Sequence, residues 1–154
     1  MNQTEHKRAL CQRRDKEFLD LYIPTLDAMI KQGVPHPQMA AASFTIANGH
    51  PHYHVDFVNA YRRVCHLLRA QEKNRHNARD YDLETETGLA VERQRRLMWL
   101  EITQRVRELH NQGLSVEQAI YHVLEHCRAS RFFITPSTAL TKICAHVRSR
   151  AIRG

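Results

Sequence analysis

Residues Ser115 to Arg148, SVEQAIYHVLEHCRASRFFITPSTALTKICAHVR, recur in degraded form 80 residues earlier in the chain. Slid back without a gap, QGLSVEQA (Gln112 to Ala119) falls on QGVPHPQM (Gln32 to Met39). With one residue dropped in the following turn, ALTKICAHVR (Ala139 to Arg148) falls on AYRRVCHLLR (Ala60 to Arg69). Identical pairs are Gln32/Gln112, Gly33/Gly113, Gln38/Gln118, Ala60/Ala139, Cys65/Cys144 and Arg69/Arg148, and Val64/Ile143 and Leu68/Val147 stay apolar. Such a pattern points to a tandem duplication of one small unit. The expected fold is all-α, with about six helices in two tandem tri-helical, helix–turn–helix-like units. Their expected bounds are 1–69 and 89–154, joined by a polar connector over 70–88. Units of roughly 60 residues have marginal cores alone, so they are expected to pack together or to form a homodimer.

Local signals place the helices. The first spans Thr4 to Gln32, with Pro24 expected to kink it or to start a second helix, because proline lacks the N–H a helix needs. Gln32-Gly33 ends it with a glycine suited to a left-handed cap. Pro37 to Asn48 reads as the second helix, and Asp56 as the N-cap of a third that runs to about Arg69. Phe57, Tyr61, Val64, Cys65 and Leu68 form its apolar stripe. The connector carries an acidic run, Asp80, Asp82, Glu84 and Glu86, and a helix resumes from about Leu89 to Asn111. Ser115 with Gln118 is a capping-box pattern, and Val116, Ile120, Val123, Leu124 and Cys127 follow as a buried stripe. Thr135-Pro136 reads as an N-cap and first helical residue. The last helix is expected to bury Leu140, Ile143, Cys144 and Val147.

Four cysteines without a CxxC pair, and a polar, charged N-terminus, suggest free thiols in a reducing cytoplasm. No apolar run reaches the roughly 20 residues needed to span a bilayer. A net charge of +7 suggests a polyanionic partner. No Gly-rich phosphate loop and no GxSxG elbow is present, so neither an enzyme activity nor a cofactor is expected.

The third helix of each half carries the sharpest functional pattern. One stripe is apolar and the opposite face is polar, as a recognition helix needs if it is to lie in a groove of DNA. Asn59 aligns with Thr138, Arg62 with Thr141, Arg63 with Lys142 and Arg69 with Arg148. No acidic residue follows Glu125, while Arg128, Arg131, Lys142, Arg148, Arg150 and Arg153 are cationic. The candidate nucleic-acid contacts are therefore Arg62, Arg63, Arg69, Ser137, Thr138, Thr141, Lys142 and Arg148, with Arg128 and Arg131 positioning the backbone. Duplex DNA is the expected partner of an accessory or regulatory protein. SRFFITPSTALTKI (Ser130 to Ile143) resembles a segment in small helical proteins of bacterial prophages and mobile elements. Over residues 90 to 150 the chain resembles the tri-helical helix–turn–helix superfamily, which implies a DNA-linked role and no catalytic residues.

Two alternatives stay open. Phe132-Phe133-Ile134 offers an apolar plug that would dock a protein partner in an assembly module. His50, His52 and His54 alternate, so an extended segment would place three imidazoles on one face, as a metal site requires. Against the metal, no cysteine pair or carboxylate has matching spacing, and the aligned SRFFIT has no histidine. HVLEH (His122 to His126) fits the inverted zinc-protease pattern HxxEH, yet only His146 follows it and no acid does. The expected reading of the histidines is structural.

Overall fold

The computed structural model describes residues 3–73 and 90–145, and within them it is all-helical. The helices are α1 (Gln3–Lys31), α2 (Pro37–Asn48), α3 (Phe57–Lys73), α4 (Ala90–Asn111), α5 (Val116–His126) and α6 (Pro136–Thr138). A π-helical stretch, Ala139–Ile143, continues α6. The acidic run of the connector and residues Val147, Arg148, Arg150 and Arg153 lie outside the described residues.

Helix ends follow the local chemistry closely. Gly33 (φ 72°) and Gly113 (φ 111°) take positive φ, which only glycine adopts without strain. Each closes its helix in the same way. Gly33 N–H bonds the Ile30 carbonyl and Val34 N–H reaches Met29; Gly113 N–H bonds His110 and Leu114 N–H reaches Leu109. Ser115 and Gln118 form both halves of the capping box at 3.1 Å. The carboxylate of Asp56 accepts from Asn59 N–H at 2.8 Å, and Thr135 Oγ1 accepts from Thr138 N–H at 3.3 Å. Of the two expectations for Pro24, a second helix does not start there: the proline lies inside the single helix α1. One residue later, the Thr25 hydroxyl bonds the Leu21 carbonyl at 2.7 Å.

The chain divides into two compact units at His54/Val55 and at Arg128/Ala129. The terminal unit joins α1 and α2 to α6 and its π-helical continuation; the central unit joins α3, α4 and α5. The boundaries 1–69 and 89–154 therefore do not coincide with the packing. Each sequence half gives its first two helices to one unit and its third to the other.

The terminal core is built from Phe18 and Tyr22 of α1, Ala41, Ala42 and Ile46 of α2, and Phe132, Ala139, Ile143 and Cys144. Phe18 meets Phe132 edge to face, with ring centroids 5.1 Å apart. The central core is built from Ala60 and Val64 of α3, Trp99, Ile102 and Val106 of α4, and Ala119, Ile120 and Val123 of α5. Two pairs of aligned positions share this burial. Ala60 and Ala139 are both fully buried, as are Val64 and, to within 1%, Ile143.

Two expectations are corrected here. The α3 stripe centres on Ala60 and Val64, so Tyr61 lies at its edge and is 38% exposed. The last helix is short and then widens: Cys144 N–H bonds the Ala139 carbonyl five residues back at 2.9 Å. The wider turn of a π-helix lets both Ile143 and Cys144 reach the core that Ala139 occupies one turn earlier.

Candidate nucleic-acid interface

The described cations differ in how they are neutralised. On α1, Arg13, Arg14, Lys16 and Lys31 each lie within 3.0–3.6 Å of a carboxylate: Glu17, Asp15, Asp20 and Asp27. On α3, Arg62, Arg63 and Arg69 are exposed and have no carboxylate at ion-pair distance among the described residues. Lys142, on the π-helical stretch, is exposed and equally without a carboxylate among the described residues. The helical spacing explains the contrast. Carboxylates stand four residues from Arg13, Lys16 and Lys31 in α1, whereas α3 has no acid three or four residues from Arg62 or Arg63.

The other candidates are placed less uniformly. Ser137, Thr141 and Arg128 are exposed. The Thr141 hydroxyl bonds back to the Ser137 carbonyl at 3.0 Å, and the Thr138 hydroxyl accepts from that of Thr135 at 2.7 Å. Thr138 thus serves the helix cap first. Arg131 is half-buried, with its guanidinium 5.6 Å from the centre of the Phe133 ring. Arg148 lies outside the described residues. The candidates fall in both units: Arg62, Arg63, Arg69 and Arg128 in the central one, Arg131, Ser137, Thr138, Thr141 and Lys142 in the terminal one.

Of the expected apolar plug, Phe132 is turned into the protein. Phe132 is 4% exposed, seated in the terminal core, and its N–H bonds the Ile46 carbonyl at 3.0 Å. A Cβ on Gly49 would lie 2.3 Å from Phe132 Cε2, so the missing side chain at the end of α2 is what admits the ring. Phe133 and Ile134 are half-buried.

The histidines also have partners inside the protein. His50 Nδ1 lies 3.1 Å from the Ala129 carbonyl. Glu17, which the sequence pattern did not single out, gathers the other two. His52 Nδ1–H donates to Glu17 Oε1 at 2.7 Å, His52 N–H to Oε2 at 3.0 Å, and His54 Nε2–H to Oε2 at 2.9 Å. The carboxylate ties α1 to the extended segment that leaves α2. Among the described residues no group of three or more His, Cys, Asp or Glu is arranged to hold a metal ion. His122 and His126 are exposed neighbours, their ring centroids 5.1 Å apart. No sequence signal pairs Glu17 with histidines 35 and 37 residues away.

Burial pushes His54 below its ordinary 6.5, outweighing the attraction of Glu17. Its Nδ1 is buried without a partner among the described residues, so a protonated ring would leave an N–H there with no acceptor. Burial also opposes ionisation of Glu17, but the His52 hydrogen bonds and the two imidazoles outweigh it and hold the carboxyl below 4.5. Both groups bind fewer protons in the folded state than in the unfolded one. Their contribution is therefore complete above about pH 6.5 and declines as pH falls, first through His54 and then, below about pH 4.5, through Glu17. The thermal midpoint should drop on acidification through this range. Glu17→Gln should lower stability at neutral pH by about 1–3 kcal/mol, flatten the limb below about pH 4.5 and deepen the His54 limb above it, because the attraction that offsets burial of His54 is gone. An unchanged pH profile in the variant would show that the cluster is not its origin.

Among the described residues no helix is long and apolar enough to cross a membrane. Comparison with protein-family models, with curated proteins and with solved structures returns no match.

Proposed function

We propose that this chain is a non-catalytic nucleic-acid-binding protein that grips the phosphate backbone through the third helices of its two sequence repeats. The supporting observation is that Arg62, Arg63 and Arg69 on α3 and Lys142 after α6 are exposed and have no carboxylate at ion-pair distance among the described residues. A cation already paired with its own helix adds little field at the surface, whereas an unpaired one can displace the counterions condensed on a polyanion. The net charge of +7 acts in the same direction by raising the encounter rate. The exposed hydroxyl of Ser137, in the same segment as Lys142, would add a neutral donor to phosphate oxygens, whereas that of Thr141 is engaged on the Ser137 carbonyl.

Fluorescence anisotropy with labelled duplex DNA, at low and at raised salt, tests this reading. Binding should weaken steeply with salt, the logarithmic slope falling by about 0.9 for each phosphate contact removed. The double reversal Arg62→Glu/Arg63→Glu and the single reversal Lys142→Glu should each reduce affinity, the double one by roughly tenfold or more. Absence of binding to any nucleic acid at low salt would sink the idea.

A further inference from the structure

Three aromatic rings on the central unit serve neither its core nor the backbone contacts above. Phe57 of α3 stacks face to face on Tyr121 of α5, with centroids 4.1 Å apart and planes 13° from parallel. On α3 itself, Tyr61 stands 6.1 Å from Phe57 at 29°. Yet Tyr121 is 54% exposed, Tyr61 38% and the adjacent Val58 57%. Phe57 covers one face of the Tyr121 ring, so that exposure belongs to the other face and to the edge. An aromatic platform open to water costs solvation and is unusual unless something covers it.

The charges around it narrow what that can be. Arg62 follows Tyr61 directly, and Arg69 is close enough to Tyr61 to act on its hydroxyl electrostatically. Both arginines are exposed and lack a carboxylate partner among the described residues. Acids stand on the α5 side, where exposed Glu117 and Glu125 lie one turn either side of Tyr121 and Glu117 also acts on Tyr61, and Asp56 caps α3; beyond that cap the exposed α3 face carries Arg62, Arg63 and Arg69. Open π-faces next to unpaired cations complement a ligand with flat rings on an anionic chain. Bases in a duplex have their faces covered by neighbouring pairs; those of a single strand do not.

We propose that Tyr121 and Tyr61 stack the unpaired bases of a single-stranded nucleic acid whose phosphates are held by Arg62 and Arg69. This rests on the backbone-binding reading above and names the substrate class within it. Stacking is worth a loss of roughly five- to hundredfold in affinity per ring removed. It tolerates any base, so little sequence preference is expected.

The test compares three ligands of equal length on the full chain: oligothymidylate, an abasic sugar–phosphate strand and a DNA duplex. The expected result is that oligothymidylate binds about tenfold or more tighter than the abasic strand. Tyr121→Ala should remove that difference while leaving the salt slope unchanged, and Tyr121→Trp should retain it. If Tyr121→Ala does not fold by circular dichroism, Tyr121→Leu keeps bulk without a π-system and should behave as the alanine variant does. Equal affinity for oligothymidylate and the abasic strand, or tighter binding of the duplex, overturns the stacking proposal and leaves backbone binding intact. No binding of any of the three overturns both.

Discussion

Cutting the chain once between α3 and α4, within residues 74–89, is expected to leave the two fragments bound to each other under native conditions. The reason lies in which helices complete which core. The N-terminal fragment carries α1, α2 and α3, and the C-terminal fragment carries α4, α5 and α6. Without the C-terminal fragment, the terminal core loses Phe132, Ala139, Ile143 and Cys144. Without the N-terminal fragment, the central core loses Ala60 and Val64. Exposing each large apolar side chain costs about 1.5–3 kcal/mol, and neither fragment retains a complete unit to offset it. A protease site introduced within 74–89, followed by size-exclusion chromatography of the cut protein, checks this. Co-elution at the intact mass, with separation only in denaturant, is the expected outcome. Two folded fragments that separate in native buffer would show that each sequence half packs on itself.

Gly49→Ala is expected to destabilise the protein by about 2–3 kcal/mol, a large effect for one methyl group. Gly49 has φ −80°, an angle any residue adopts, so the cost is steric and not conformational. The methyl would meet Phe132 at 2.3 and 2.7 Å and the Thr45 carbonyl oxygen at 2.8 Å. The carbonyl is held in the α2 cap by Gly49 N–H at 2.9 Å, and the ring is pinned between Phe18 and the Ile46 bond. Neither neighbour can retreat cheaply. Thermal denaturation of Gly49→Ala, Phe132→Leu and the double variant measures the coupling. The double variant should be less destabilised than the sum of the two singles, because the smaller side chain makes room. Gly113→Ala is the contrasting control. Nothing lies within 4 Å of its Cβ position but φ is 111°, so its cost is backbone strain that Phe132→Leu should leave untouched. Strict additivity at Gly49 would remove the close-approach explanation.

Much of the architecture was legible locally. Gly33, Gly113, Ser115, Asp56 and Thr135 act on hydrogen bonds within five residues of themselves, and each helix end they mark lies where expected within a few residues. Two of the aligned apolar pairs, Ala60/Ala139 and Val64/Ile143, are buried at both positions. The candidate cations on α3 were readable as one polar face. Helical spacing shows no acid beside Arg62 and Arg63 on α3, but not that other helices bring none to them among the described residues. Nor was the aromatic platform readable, since Phe57 and Tyr121 come from different helices 64 residues apart. Tyr61 looked like core by spacing alone.

Local patterning sufficed for an all-α chain and for the positions of its caps. Which pair of helices each third helix completes rests on long-range packing. Ala60 and Val64 align with Ala139 and Ile143, so by pattern either third helix fits either pair. Side-chain fit breaks the tie. Gly49 at the end of α2 admits Phe132, while the corresponding end of α5 is Cys127, which carries a Cβ. Glu17 then anchors α1 to the segment after α2 through His52 and His54. These contacts join residues tens of positions apart, so no local periodicity could announce them.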